Sequence, residues 1–315
     1  MTASAPAGLV RDSVAPAASG TWFVRPPQSL GAFVRGEPSQ GYYNDLTSKA
    51  LAYSQPEIAN DALAAMLADP AGLVPVDVAQ LGLGAWQVGQ ANPEWRETAY
   101  AAALGLAAAL DPDGRLWHRF PQRHTYRLKA PWCSAMAQGQ AVSLLLRAGL
   151  DHDDSALVRA AGLASRSLVA ERSELVAMTS AGPVLQEYPT APPSHVLNGW
   201  IFALWGLYDL ACLGDSVATR SFEAGVGALV ERLPLYDAAG GWSRYDLYPH
   251  PLTHVASPFY HRLHVAQLEA MDVLVDGHPF AGRIERWTVS RMWSPRVGAA
   301  VTRKVAFRML RPRRS

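Results

Sequence analysis

Apolar side chains recur every three to four positions along most of the chain, and each run stops at a connection rich in Pro, Gly or aromatic residues. That period is the helical one. It predicts helices over residues 56–67, 75–87, 95–110, 134–149, 154–171, 195–213, 219–233, 261–275 and 279–292, with Ser194 placed to cap the one that starts at His195. The helices fall into hairpin-like pairs roughly every fifty residues, with polar loops at alternate ends. Strand-like alternation is too scarce for a sheet-based core; one small hairpin is predicted in the break over 111–131, pairing residues 116–120 with 124–128. Helix pairs of this kind stack into a bundle, a superhelix or a toroid, and a toroid gathers alternate loops at one mouth. The expected fold is all-α, an incomplete α/α toroid of antiparallel helix pairs with a short irregular or β-hairpin insertion. It is expected to occupy residues 21–295, after a segment of disordered composition over 1–20 and before a basic amphipathic tail over 296–315.

Composition changes the picture only at the ends of the chain. A length of 315 residues with 49% hydrophobic content permits a large core, and a net charge of +1 excludes a uniformly basic nucleic-acid footprint. No apolar stretch reaches the about eighteen residues of a membrane span, and the first residues lack the apolar core of a signal peptide. The expected location is cytoplasmic, including the inner face of the membrane. Arg303, Lys304, Arg308, Arg311, Arg313 and Arg314 crowd the C-terminus around Phe307 and Leu310 with no acid among them. Such a tail suits peripheral contact with an anionic membrane or a polyanion; it also reads as a solvated, frayed terminus. Cys133 and Cys212 are expected as reduced, buried thiols, with neither disulfide nor metal.

Candidate chemistry sits in the loops, which carry the polar groups when helices bury one another. Tyrosines adjoin ionisable groups at Glu187-Tyr188, Arg244-Tyr245-Asp246 and Tyr260-His261-Arg262. A phenol can give or take a proton, and a nearby cation lowers its pKa from about 10 toward use as a base. Arg244, His261 and Arg262 are the neighbouring cations. Arg123, Arg127, His124 and Arg262 are candidates to neutralise an anionic substrate group. Trp132 and Trp242 lie in loops beside these motifs, while Trp200 and Trp205 read as core. Gln138 and Gln140 are amides in a small-residue helix, either buried network members or cleft lining. His261 and His264, at i and i+3, have no further ligand at a telling spacing, so a hydrogen-bonding role at the helix start is preferred to a metal pair. Taken alone, each tyrosine also reads as a packed rim residue with one hydrogen bond.

The stretches PWCSAMAQGQAVSLLLRA (131–148), QEYPTAPPSHVLNGWIFALWGLYDL (186–210), GGWSRYDLY (240–248) and SPFYHRLHVAQL (257–268) resemble the C-terminal catalytic domain of the D-glucuronyl C5-epimerases, in order and with similar gaps, over about residues 40–290. The resemblance implies an α/α-toroid domain that inverts C5 of hexuronic acid residues in a polysaccharide, D-glucuronic to L-iduronic, without a cofactor. It places catalytic tyrosines at Tyr188, Tyr245 and Tyr260, the preceding carboxylate at Glu187, and the paired histidines at His261 and His264. Gln138 and Asn198, within the matching stretches, join Arg244, Arg262, Trp132 and Trp242 as substrate-binding candidates. The chain departs from the animal members in having only some forty residues where they carry β-rich regions, and Tyr248-Pro249 where they have Arg-His.

Epimerisation needs one acid/base on each face of the ring. The expectation is that two of the three tyrosines exchange the proton roles while the third, with Glu187, positions the sugar. The expected partner is a uronic-acid polysaccharide, heparosan-like, or a lipid-linked oligosaccharide, with no nucleic acid and a homodimer left open. A uronic-acid lyase shares the first step. A glycoside hydrolase would pair Glu187 with Asp246 or Asp45, and a non-catalytic glycan-binding scaffold is the remaining alternative.

Overall fold

The structure, a computed structural model, describes residues 29–123, 125–170, 172–288 and, near the C-terminus, residues 298, 302–305, 307 and 309. The expected 1–20 segment and most of the basic tail lie outside the described residues. Helices begin where prolines and short polar side chains satisfy or remove the free N–H groups of a first turn. After α1 (Thr47–Leu51), Pro56 and Pro75 open α2 (Pro56–Leu67) and α3 (Pro75–Gly89), and α4 spans Glu94–Ala109. The side chains of Ser134, Asp154, Asp215 and Ser257 cap α5 (Ala135–Asp151), α6 (Ser155–Val169), α8 (Ser216–Arg232) and α9 (Pro258–Leu274). Between them lies α7 (Leu197–Cys212), and α10 spans Ala281–Thr288.

α7 starts two residues later than expected, and no side chain caps it. The Ser194 hydroxyl donates instead to the Tyr188 carbonyl at 2.8 Å, and His195 adopts a left-handed φ of 47° that the helical path cannot accommodate.

Helices α3 and α4, α5 and α6, and α7 and α8 pack as sequential hairpins. α3, α5, α7 and α9 follow one another as an inner row, while α2, α4, α6 and α8 form an outer one. This is an all-α, incomplete α/α toroid. The inner helices meet backbone to backbone: a β-carbon at Gly139 of α5 would lie 2.5 Å from the Ala203 Cα of α7. A buried ion pair ties the same helices to the lead-in segment. Arg147 contacts Asp209 at 2.7 and 3.1 Å, and Asp209 also accepts from the hydroxyls of Tyr43 and Ser143, each at 2.5 Å.

Antiparallel two-stranded ribbons interrupt the helices: β1 (Trp117–His118) with β2 (Trp132–Cys133), β3 (Val176–Thr179) with β4 (Gly182–Leu185), and β5 (Asp237–Ala238) with β6 (Trp242–Ser243). The hairpin expected between residues 116–120 and 124–128 is therefore replaced by a longer-range pairing. The Trp132 indole stacks on the His118 ring at 3.9 Å and donates to the Phe120 carbonyl at 3.0 Å, which brings β2 to β1 and leaves Gln122 and Leu128 as a lone bridge. The β3–β4 hairpin was not expected. Both cysteines are free; Cys133 is buried as expected, whereas Cys212 at the end of α7 is only half-buried. Among the described residues no helix is long and apolar enough to cross a membrane.

Candidate active site

The loops before α5, α7 and α9 converge on a cluster of tyrosines around Val196. Tyr126 comes from the β1–β2 loop, Tyr188 from the β4–α7 loop, Tyr245 and Tyr248 from the segment after β6, and Tyr260 from the first turn of α9. Tyr126 stacks on Tyr188 with ring centres 4.6 Å apart, and Tyr245 meets Tyr260 edge-on at 4.8 Å. The last two loops are stitched together by main-chain bonds, Leu197 N–H to Tyr245 C=O at 3.2 Å and Leu247 N–H to Ser194 C=O at 3.1 Å. All three tyrosines of the sequence reading thus share one cluster.

Glu187 enters from the end of β4. Gln186 before it anchors the loop, its side-chain oxygen accepting from the N–H groups of Ser194 at 3.0 Å and His195 at 3.2 Å. The Glu187 carboxyl is buried over the first turn of α7, 3.5 Å from the Asn198 amide. Burial pushes its pKa up to about 8; a hydrogen bond with Tyr188 opposes the rise and the charge of Asp246 adds to it. A carboxyl held there titrates near neutrality, in the range useful to an acid/base catalyst.

The cations beside the tyrosines in sequence turn away. Arg244 sends its guanidinium to the Leu235 carbonyl at 3.4 Å. His261 is spent on the Ser243 hydroxyl at 2.9 Å and the Trp287 carbonyl at 3.1 Å, and His264 on the same hydroxyl at 2.9 Å. Burial first, then the Glu187 charge, raises the Tyr245 phenol well above its ordinary pKa. The Tyr245 phenol is therefore protonated at physiological pH, not the phenolate that neighbouring cations would favour. Arg262 is half-buried in the first turn of α9, its Nε unpartnered.

Beneath the cluster lies a polar network absent from the sequence reading except for Asp246. Asp246 Oδ2 accepts from the Tyr126 hydroxyl, from His254 Nδ1 at 2.6 Å and from His250 Nε2 at 3.2 Å. Burial alone would raise this carboxyl, but the two histidine contacts hold it well below the usual carboxylate range. Lys304, buried, reaches His254 Nε2 at 2.7 Å, and Phe307 stacks on the His254 ring at 4.0 Å. Ligand atoms of Asp246, His250 and His254 all lie within 4.8 Å of one another, a spacing a small cation can bridge. The only signal in the sequence was the density of ionisable residues over 244–254.

A cleft of about 660 Å³ opens beside Tyr248, walled by Thr125, Arg127, Lys129, Pro189 and Thr190. Arg127 and Lys129 give it a positive rim. Arg123 is exposed and not part of this wall, and His124 lies outside the described residues. Trp132 is buried 5.6 Å from Tyr188, its indole N–H already used by Phe120. Trp242, His261, His264 and Gln138 are placed behind the site instead of lining it. Trp242 stacks on His261 at 4.0 Å and donates to the Ala256 carbonyl. The Gln138 amide donates to the Gly114 and Ala164 carbonyls and accepts from the Leu116 N–H, so no group remains for a ligand. Asp45, one carboxylate of the hydrolase alternative, accepts from the N–H and hydroxyl of Thr47 at the start of α1.

A helical domain with a carboxyl and clustered phenols at the mouth of its inner row defines a candidate acid/base site. The sequence matches the D-glucuronyl C5-epimerase C-terminus family over residues 114–289, which hold Glu187 and all three tyrosines, and the chain belongs to that family. It is 33% identical over 174 residues to the D-glucuronyl C5-epimerase of Caenorhabditis elegans, a match covering 50% of this chain and 28% of that relative. The matched region thus spans less than a third of the relative's length. Among solved structures, the unsaturated glucuronyl hydrolase of Bacillus sp. GL1 aligns with 86% of this chain and 78% of its own, at 15% identity and a TM-score of 0.46. A structure named for UGL with dGlcA-Glc-Rha-Glc aligns over the same shares, at 13% identity and a TM-score of 0.45.

Proposed function

We propose that the protein is a hexuronyl C5-epimerase that converts D-glucuronic acid residues of a polysaccharide or lipid-linked oligosaccharide into L-iduronic acid. The observation that carries this reading is the convergence of Tyr188, Tyr245 and Tyr260 in one cluster, with the buried carboxyl of Glu187 next to Tyr188, inside the stretch that matches the family; burial raises the Glu187 carboxyl and keeps the Tyr245 phenol protonated. C5 bears a weakly acidic hydrogen next to a carboxylate, and an epimerase must remove it from one face and return a proton to the other. Ionised Glu187, hydrogen-bonded to Tyr188, takes the C5 proton, and the C–H electron pair moves into the substrate carboxylate as an enolate. A phenol of the Tyr245–Tyr260 pair returns a proton to C5, and exchange with solvent resets both groups. Arg127 and Lys129 hold the anionic chain in the cleft, and Arg262 is available to the enolate oxygens. This assignment moves the base from tyrosine to Glu187, because burial favours the protonated phenol.

The test is incubation of the protein with heparosan in deuterium oxide, following C5 by NMR and the solution by ultraviolet absorbance. Deuterium at C5 with new iduronic signals and no absorbance is expected. New absorbance would assign the lyase instead, and binding without either signal would assign the glycan-binding scaffold. The variants Glu187→Gln, Tyr188→Phe, Tyr245→Phe and Tyr260→Phe are compared in the same assay. Normal exchange in all three tyrosine variants would rule out the cluster as the catalytic site.

A further inference from the structure

Within the C-terminal segment, expected as a basic amphipathic tail, Lys304 lies against the underside of the tyrosine cluster. Residues 302–305 are helical, and Lys304 and Phe307 are buried while Arg303, Val305 and Met309 are exposed. A buried ammonium is costly unless its donors are satisfied. Those of Lys304 are directed to His254 Nε2 at 2.7 Å and the Val255 carbonyl at 3.0 Å, and the charge lies 5.4 Å from the centre of the Tyr245 ring.

We propose that Lys304 is a positioning residue for the catalytic tyrosines, setting Tyr188 from behind through His254, Asp246 and Tyr126 and holding the Tyr245 ring through its own ammonium. The inference rests on the epimerase reading. An ammonium has donors only, so His254 Nε2 must accept and the imidazole proton must sit on Nδ1. That proton points at Asp246 Oδ2, 2.6 Å away. The carboxylate thereby keeps its acceptor capacity for the Tyr126 hydroxyl, and Tyr126 carries the stacked face of Tyr188. Direct contacts therefore link Lys304 to the phenol beside Glu187.

The same logic decides between this relay and a bound metal at Asp246, His250 and His254. A metal on His254 Nδ1 would displace its proton to Nε2, leaving two donors facing each other across 2.7 Å. With Lys304 in place, Lys304 is the cation that this cluster accommodates.

The experiment uses the full chain and its Lys304→Met and Lys304→Arg variants. In ¹⁵N NMR the wild-type His254 is expected as the Nδ1–H tautomer with Nε2 accepting; the Nε2 resonance is expected to shift in Lys304→Met, where that nitrogen loses its donor, and to stay in place in Lys304→Arg. With heparosan in deuterium oxide, Lys304→Met is expected to lose about tenfold to a hundredfold in kcat with KM little altered, the size of effect that a misplaced catalytic group produces. Lys304→Arg is expected to recover most of the rate. An Nε2–H tautomer in the wild type would overturn the proposal, as would stoichiometric Zn²⁺ binding that removes the Nδ1 proton. So would a Lys304→Met protein that is less stable but exchanges at the normal rate once folded. A wild-type protein inactive on uronic-acid glycans would overturn the epimerase reading and the positioning role together, whereas an active wild type with an indifferent Lys304→Met overturns the positioning role alone.

Discussion

The carboxyl of Glu187 fills the space that a side chain at Gly199 would need: a β-carbon there would sit 2.4 Å from Glu187 Oε2 and 2.5 Å from its Cβ. Glycine in the first turn of a helix is a weak helix former, and here its place is explained by the acid lying on it. Gly199→Ala is expected to displace Glu187 and lower C5 exchange by about tenfold or more. In a Glu187→Gln background the same substitution is expected to cost little further activity, because both changes act on one group. Additive losses measured in the double variant would separate Gly199 from the carboxyl.

The raised pKa of Glu187 has a signature in stability. Between its unfolded value near 4.5 and its folded value of about 8, the native state holds a proton that the unfolded chain has lost, so its contribution to stability falls as pH rises across that window. His118 and His195, both depressed to about 4 by burial, act with the opposite slope below about pH 6.5. Comparison of thermal midpoints for the wild type and Glu187→Gln from pH 5 to 8 cancels the histidine terms. The variant is expected to lose less stability over that range. Activity is expected to rise through about pH 8 as Glu187 ionises, and parallel stability curves for the two proteins would contradict the assignment.

Gln138 is placed as a structural amide. Gln138→Leu strands the Gly114 and Ala164 carbonyls and the Leu116 N–H, and is expected to cost about 2 kcal/mol or more in denaturant unfolding. The KM of the folded protein for heparosan is expected to stay as it was. A specific rise in KM at unchanged stability would return Gln138 to the ligand.

Arg127 and Lys129 are tested on binding. The double alanine variant is expected to raise KM by about tenfold, corresponding to two exposed contacts of ~0.7 kcal/mol each, and to flatten the salt dependence of KM while leaving kcat unchanged. An unchanged KM would locate the glycan elsewhere.

The helices were legible because their signals are local. Apolar spacing marks the runs, and Pro56, Pro75, Ser134 and Asp154 mark starts, whereas α9 begins at Pro258 behind the Ser257 cap, three residues before the expected His261. The partner of β1 was not, since the choice between residues 124–128 and Trp132–Cys133 turns on a stack between His118 and Trp132. The site divides along the same line. Glu187 and the tyrosines stand in recognisable stretches, whereas Lys304 follows His254 by fifty positions and is hidden among arginines that read as solvated. Arg244 and His261 misled for a related reason: adjacency along a chain says nothing of direction, and both turn toward other partners.

Gln186 separates the proposed acid from the cleft wall. Its side chain closes the β4–α7 loop on itself at Ser194 and His195, so residues 188–193 form a tab held at its root. Pro189 and Thr190 on that tab wall the cleft, and Glu187 lies beside the anchor. Substitutions on the tab can therefore reshape the cleft wall while the Glu187 carboxyl stays in register, so that on the proposed reading the choice of polymer is separable from the proton transfer.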